Sequence, residues 1–321
     1  EQDEAGNLLA RLPGEGDPVL LSAHMDTVGE DRGIRPVVRD GVVYSEGDTI
    51  LGADDKSGVA IILENLALLQ EHPDIRHLPV EVVITVGEER GLLGAKAFDV
   101  SKLQAKWGIV LDAGGPVGTL VYSAPSQNYI DATVIGRKAH AGGEPEKGIN
   151  AIKVAAEAIA AMPLGRIDEE TTANIGVIRG GEATNIVPDR VEMRGEARSR
   201  NEAKLEKQTQ AMLEALHEAA ARHGASVEFN VREAFKTYRI TPDQPPYAAA
   251  ARAMESLGIT LRPTMSGGGT DGNIYTAAGV LCTPLSTGMT DVHTPDEHIA
   301  VQDMVDAARI IATILTQDHH P

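Results

Sequence analysis

Three apolar runs, Val19–His24, Val80–Val86 and Gly108–Leu111, limit what this chain can fold into more than any other feature. Each is nearly continuous instead of alternating. That is the pattern of a strand covered on both faces, and such strands belong mainly to parallel sheets packed between helices. Each run also ends at side chains that bind protons or metals. The first closes on His24-Met25-Asp26, the second on Gly87-Glu88-Glu89-Arg90-Gly91, and the third on Asp112. In α/β proteins ligands gather at the carboxyl ends of strands, so three such endings in succession predict a site. A further strand is expected over Leu8–Leu12, joined to the first run by the turn-rich Pro13–Pro18.

Between the first two runs, Asp40-Gly41 marks a hairpin within Arg35–Tyr44. It is followed by Leu51-Gly52-Ala53-Asp54-Asp55-Lys56-Ser57-Gly58. Two adjacent carboxylates stand there at the mouth of a helix expected over Ser57–Glu71, with Val59, Ile62, Leu63, Leu66 and Leu69 on its buried face. Amides at a helix N-terminus favour anions, and one aspartate is accounted for as a simple cap. The second needs another reason, and a carboxylate in that place can bridge two metal ions.

From about Ser123 the pattern changes. Strands are expected over Tyr129–Ile135, Ala173–Ile178, Arg190–Ser199 and Ser226–Val231, and helices over Asn150–Ala161 and Asn201–His223. Strand-helix-strand-strand-helix-strand is the order of a ferredoxin-like α+β domain. Apolar α/β patterning resumes after about Tyr238, with helices over Tyr247–Leu257 and Val301–Leu315 and a strand over Gly279–Pro284. The expected organisation is therefore an α/β domain, a mixed sheet with helices on both faces, interrupted by a smaller α+β unit: residues 1–123, 124–236 and 237–321. A chain of 321 residues with 42% hydrophobic content can bury two such cores.

A net charge of −18 argues against nucleic-acid and anionic-membrane partners, whereas clustered carboxylates suit cations. The single cysteine, Cys282, allows no intrachain disulfide, fits a reducing cytoplasmic compartment, and lies in an apolar run as a small core residue. No apolar run reaches the length of a membrane span. The closing His319-His320 reads as a tail.

The ligand types can be counted out for two ions. Asp54 bridges, His24 and Asp112 complete one position, and Glu89 and His293 complete the other. Nitrogen and oxygen donors without sulfur suit Zn2+ best and also admit Co2+ or Mn2+. Two such ions lower the pKa of a shared water towards neutrality and polarise a carbonyl. Asp26, two residues from His24 on an extended chain, shares its face and can orient the imidazole. Glu88, free beside Glu89, can serve as general base. Within the α+β unit, Gly136–Gly142 places His140 among small residues. Thr184–Pro188 with Asn185, together with Arg198, can supply amide and planar cationic donors for a substrate carboxylate.

Together, Ala23–Val28, Gly52–Gly58, Glu88-Glu89, Asp112, His140-Ala141-Gly142, Asn185 and His293 resemble the dinuclear zinc exopeptidases and amidohydrolases that include the peptidase T, carboxypeptidase G and succinyl-diaminopimelate desuccinylase branches. Gly-Ala-Asp-Asp-Lys and Gly-Glu-Glu-Arg-Gly are most similar to the peptidase T, or tripeptide aminopeptidase, branch. The resemblance covers nearly the whole chain, beginning after a helix and strand that relatives carry before the part matching Glu1. It implies a zinc-exopeptidase catalytic domain with a dimerising lid and a cis peptide between Asp54 and Asp55. It also implies an oxyanion donor at His140, offered to a partner's active site, and substrate contacts from Asn185, Arg198 and the loop Gly268–Gly272. The expected activity is removal of the N-terminal residue of short peptides, tripeptides first. One alternative keeps the chemistry and moves it to N-acyl amino acids or C-terminal residues. Another is a non-catalytic peptide- or metal-binding protein, which predicts a broken ligand set or a missing base.

Overall fold

The computed structural model describes residues 1–316, so the His319-His320 tail lies outside the described residues. Two compact units emerge: Glu1–Ala124 together with the chain from Tyr238 onward, and Pro125–Thr237.

The first unit begins with β1 (Leu8–Leu12) and β2 (Val19–His24), then the hairpin β3 (Pro36–Arg39) and β4 (Val42–Ser45). It continues through α1 (Ala53–Glu71), β5 (Val80–Thr85), α2 (Leu93–Ala97), β6 (Trp107–Ala113) and β7 (Thr119–Ala124). The second unit holds β8 (Ser126–Ile135), β9 (Ala139–His140), α3 (Ala151–Ala161), β10 (Gly165–Arg166) and β11 (Thr171–Gly180). It closes with β12 (Ile186–Val187), β13 (Arg190–Ser199), α4 (Glu202–His223) and β14 (Ser226–Phe235). The first unit then resumes with β15 (Tyr238–Arg239), α5 (Pro245–Leu257), β16 (Arg262–Met265) and α6 (Asp271–Ala277). Its last elements are β17 (Leu281–Ser286), β18 (His298–Ala300) and α7 (Val301–Thr316).

The main sheet has the order β1-β5-β2-β6-β17-β7-β15, with β16 against β7. Its centre, β5-β2-β6-β17, is parallel, β1 runs antiparallel to β5, and β7 runs antiparallel to β17 and β15 but parallel to β16. The parallel centre brings the carboxyl ends of β2, β5 and β6 to one edge. The continuous apolar runs are explained by what each face meets. In β2, Val19, Leu21 and Ala23 pack with Ile62 of α1 and Ile311 of α7, while Leu20 between them packs with Phe98 and with Tyr275 of α6. Each fully buried leucine or isoleucine is worth about 1.5–3 kcal/mol. Cys282 is buried in the second of these clusters, the small core residue its sequence context predicts. Among the described residues, no helix is long and apolar enough to cross a membrane.

α1 departs from expectation at both its start and its face. It begins at Ala53, with Asp54 and Asp55 carrying non-helical backbone angles inside its first turn. Leu63 was expected to be buried but is 59% exposed. The buried stripe is Gly58, Ile61, Ile62, Asn65 and Leu69. Asn65 takes a core position because its Nδ2 donates to the Ile61 and Ala308 carbonyls, and a polar residue in an apolar stripe misaligns any face read from hydrophobicity alone.

In the second unit, β10-β11-β13-β8-β14 form one antiparallel sheet. Helices α3 and α4 cover it over a core that includes Ile130, Val134, Val154, Met193, Met212 and Leu216. The first and third of its four long strands, β8 and β13, lie side by side at the centre, as in ferredoxin-like folds.

Candidate metal centre

The expected ligands converge from five segments of the first unit. His24 ends β2, Asp54 opens α1, Glu89 follows β5, Asp112 lies near the end of β6, and His293 sits in the loop before β18. They form overlapping triads whose candidate ligand atoms lie within 4.8 Å of one another: His24/Asp54/Asp112, Asp54/Glu89/His293, and His24/Glu88/Glu89. Asp54 belongs to the first two and spans them. Its Oδ1 lies 3.0 Å from His24 Nε2 and its Oδ2 3.0 Å from His293 Nε2. His293 Nε2 is also 2.8 Å from Glu89 Oε1. The Asp54–Asp55 peptide is cis.

The electrostatics describe a cluster short of positive charge. Burial pushes the carboxyl pKa of Asp112 well up, and the charges of Asp55 and Asp54 add to it. Burial likewise raises Asp55, and the Asp54 charge adds to it. Burial raises Glu89 too, with Asp54 beside it. Glu88 is pushed up to about 10 by burial first and then by Asp112 and Asp271. Burial opposes a charged His24, but hydrogen bonds to Asp26 and Asp54 outweigh it and raise its pKa. Without a counter-charge the cluster holds protons that the isolated side chains would release. Divalent cations would replace those protons, and the mixed imidazole and carboxylate donors, sulfur-free and shared through Asp54, fit a pair of borderline ions.

Several residues brace this set. Asp26, whose pKa is lowered to about 2, faces His24: its backbone oxygen is 3.0 Å from His24 Nδ1 and its Oδ1 is 3.5 Å away. The same carboxylate accepts from the backbone N–H groups of Glu88 at 3.1 Å and Glu89 at 3.3 Å. Asp26 therefore fixes the His24 ring and the backbone of Glu88 and Glu89. Asp55 accepts from the N–H of Gly58, the capping role granted to one of the two aspartates, and from the N–H of His24 at 3.1 Å. Two acids were missed by sequence reasoning. Asp271, buried at the start of α6, accepts from the Thr85 hydroxyl, while its Oδ1 has no partner. Glu297, 1% exposed, accepts from the backbone N–H groups of Gly52 and Asp54. Neither follows an apolar strand run, so neither carried the signal that marked the others.

The remaining expected residues are placed as follows. Gly268 lies in the loop before α6 and lines a cavity of about 250 Å³ with Asp112, Gly114, Ser266, Thr270 and Tyr238. The buried Tyr238 hydroxyl has no partner. In the second unit, His140 on β9 pairs with Ile186 of β12, and the N–H of Ala141 donates to the carbonyl of Asn185, so His140 and Asn185 are neighbours. His140 Nδ1 accepts from the N–H groups of Gly142 and Gly143, at 3.1 and 2.9 Å. That leaves the ring proton on Nε2, a donor facing away from its own loop. Arg198 is elsewhere. It pairs across β8 with Gln127, whereas β9 follows Ile135 at the opposite end of that strand, about 26 Å away at ~3.3 Å per residue. There it forms a two-pronged ion pair with Glu196.

A family model described as Peptidase family M20/M25/M40 matches residues 20–317. The chain belongs to this peptidase family. Its fold and its metal-ligand cluster are those of a metallopeptidase with a catalytic domain and a lid. This M20/M25/M40 chain is 31% identical to a peptidase T of Vibrio parahaemolyticus, over 99% of its own length and 87% of the relative's. It superposes on an aminopeptidase PepT of Bacillus cereus with a TM-score of 0.89 and 42% identity, covering 97% of this chain and 84% of that one. A tripeptidase from Staphylococcus aureus gives a TM-score of 0.93 with 38% identity, covering 98% and 87%.

Proposed function

We propose that the protein is a two-zinc aminopeptidase that releases the N-terminal residue of short peptides, tripeptides first. The observation that carries the reading is the pair of ligand triads sharing Asp54, with Glu88 beside them as a carboxylate that neither triad requires. His24 and Asp112 would hold one ion, Glu89 and His293 the other, and Asp54 both. When bound, the ions supply Lewis acidity towards a peptide carbonyl and towards a water. Glu88 takes the proton of the attacking water and delivers it to the leaving amine. Its pKa, raised by burial and by neighbouring carboxylates while no cation offsets them, would fall with dications beside it, which leaves it a base at neutral pH. Asp26 keeps the His24 ring oriented and the Glu88 backbone fixed. The Nε2–H of His140 would serve as a donor to the oxyanion that develops on the carbonyl.

Asn185, Arg198 and Gly268 hold the substrate, and the cavity beside Asp112 receives one of its side chains. His140, on the strand that follows β8, and Arg198, paired with the start of β8, lie towards opposite ends of β8, which supports a homodimer whose two lids contribute different residues to one site. The exposed outer stretch of β11, with Val177 and Ile178 on the surface, is the edge through which we place that contact. The single buried cysteine supports a cytoplasmic location.

The test is metal content by mass spectrometry alongside hydrolysis of a tripeptide and its N-acetylated form. Two zinc ions and cleavage of the free-amine peptide alone are expected. Cleavage of the acylated form alone would move the substrate class to N-acyl amino acids, and absence of metal and turnover after zinc addition would refute the reading.

A further inference from the structure

His293 is the exposed member of the ligand set, with its side chain 48% accessible. It also sits at φ 67, with Asp291 two residues before it at φ 52. A non-glycine residue in the left-handed region costs on the order of 1–3 kcal/mol and persists only where its surroundings dictate the conformation. The loop therefore needs an anchor close to the imidazole. Thr290 and His298 exchange backbone hydrogen bonds at its base, and the Thr294 hydroxyl donates to the Asp291 carbonyl. None of these bonds ties the loop to the other ligands.

Glu297 does. It lies four residues beyond His293 and is 1% exposed. Its Oε2 accepts from the N–H of Gly52 at 2.6 Å, and its Oε1 from the N–H of Asp54 at 2.9 Å. These two amides are free for a local reason. Gly52 caps the start of α1 at φ 75, and Asp54 has φ −83 and ψ 105, so the first turn is not helical and its N–H groups find no partner within the helix. The two oxygens of one buried carboxylate thus hold the backbone of Gly52 and of the bridging Asp54, while the same residue's main chain continues the His293 loop.

We infer that Glu297 is a positioning residue that clasps the His293 loop onto the Asp54 segment, so that the Asp54/Glu89/His293 position is assembled before an ion arrives. This rests on the two-metal reading above. Loss of the clasp acts unequally on the two positions: both share Asp54, but only one also depends on the His293 loop, while His24 and Asp112 are held by strand ends that Glu297 does not touch. Residues that orient metal ligands from behind typically change affinity by about 10–100-fold.

The experiment is stepwise Co2+ titration of the metal-free protein, wild type against Glu297→Ala and Glu297→Gln, followed by calorimetry and the visible spectrum of bound cobalt. Wild type is expected to bind two equivalents. In Glu297→Ala one step weakens about 10–100-fold and the other changes less than about threefold, with the spectrum of the weaker position altered. Glu297→Gln keeps one accepting oxygen and falls between the two, and it carries the test if the alanine variant does not fold. Two unchanged steps, or two steps weakened by the same factor, would overturn the inference. A wild-type protein that takes up fewer than two equivalents would instead refute the two-metal reading on which it rests.

Discussion

Replacing Gly58 by alanine tests whether the close approach of α1 to β6 sets the ligand geometry. In an exposed helix interior the change stabilises by ~1 kcal/mol. At Gly58 the added Cβ would lie 2.5 Å from Asp55 Oδ1 and 2.7 Å from the Leu111 carbonyl oxygen, against an ordinary contact of 3.4 Å or more. The second neighbour is backbone and cannot rotate away, so α1 and β6 must part by roughly 0.7 Å at this point. Overpacking of this kind costs about 1–3 kcal/mol, which outweighs the helical gain and leaves a net loss of about 1 kcal/mol. The larger effect falls on the site. Leu111 immediately precedes Asp112, and Asp55 holds the backbone of His24, so the shift moves His24 and Asp112, the proposed ligands of one ion, relative to each other. Sites of this kind work within about 0.5 Å, and a loss of at least about tenfold in metal affinity is expected. Metal titration beside a thermal melt measures both quantities. Glu64→Ala, on the exposed face of the same helix, is the control and should stay within about 0.5 kcal/mol of wild type. A Gly58→Ala protein that melts at or above wild type and binds metal as tightly would show that this approach does not shape the site.

Three further outcomes are expected. Glu88→Gln should lower kcat by about 10²–10⁴ while both ions stay bound, and a variant with full turnover would remove Glu88 as the base. The metal-free protein should lose thermal stability as pH rises from 5 to 9. Glu88 keeps its proton to about 10 when folded but releases it near 4.5 when unfolded, so the folded state binds more protons across that window. The raised values of Asp112, Glu89 and His24 act in the same direction, zinc should flatten the slope, and a melting temperature that climbs with pH in chelator would contradict the charge assignment. Asp26→Asn should weaken metal binding by about 10–100-fold through the His24 ring and the Glu89 backbone, readable by titration and absent if the carboxylate is only a surface charge.

Much of the site was legible because strand ends are legible. Continuous apolar runs locate a doubly covered parallel sheet, and the residues immediately after them, His24, Glu88, Glu89 and Asp112, must then share one edge. His293 was found by residue type and by resemblance, since its loop follows no such run by a fixed interval. Glu297 and Asp271 were not found. Their significance lies in what approaches them in space, two orphan amides in one case and a threonine hydroxyl in the other, and neither is encoded in local spacing. Leu63 and Asn65 exchanged their expected places for the same reason, because hydrophobicity reports transfer from water and not the carbonyls waiting inside. Short elements such as β16 and α6 escaped because a few residues give too little periodicity to register.

The pairing of Tyr238 with Ala124 carries a consequence for how this architecture varies. The chain leaves the main sheet along β7 and returns along β15 as its antiparallel neighbour, so everything from Pro125 to Thr237 is, in topological terms, the loop of a β-hairpin. Closing a longer loop adds only about 0.6 kcal/mol per doubling of its length. The inserted unit can therefore lengthen, shrink or be exchanged at small cost to the sheet, and the sheet edge that gathers His24, Glu88, Glu89 and Asp112 need not change with it.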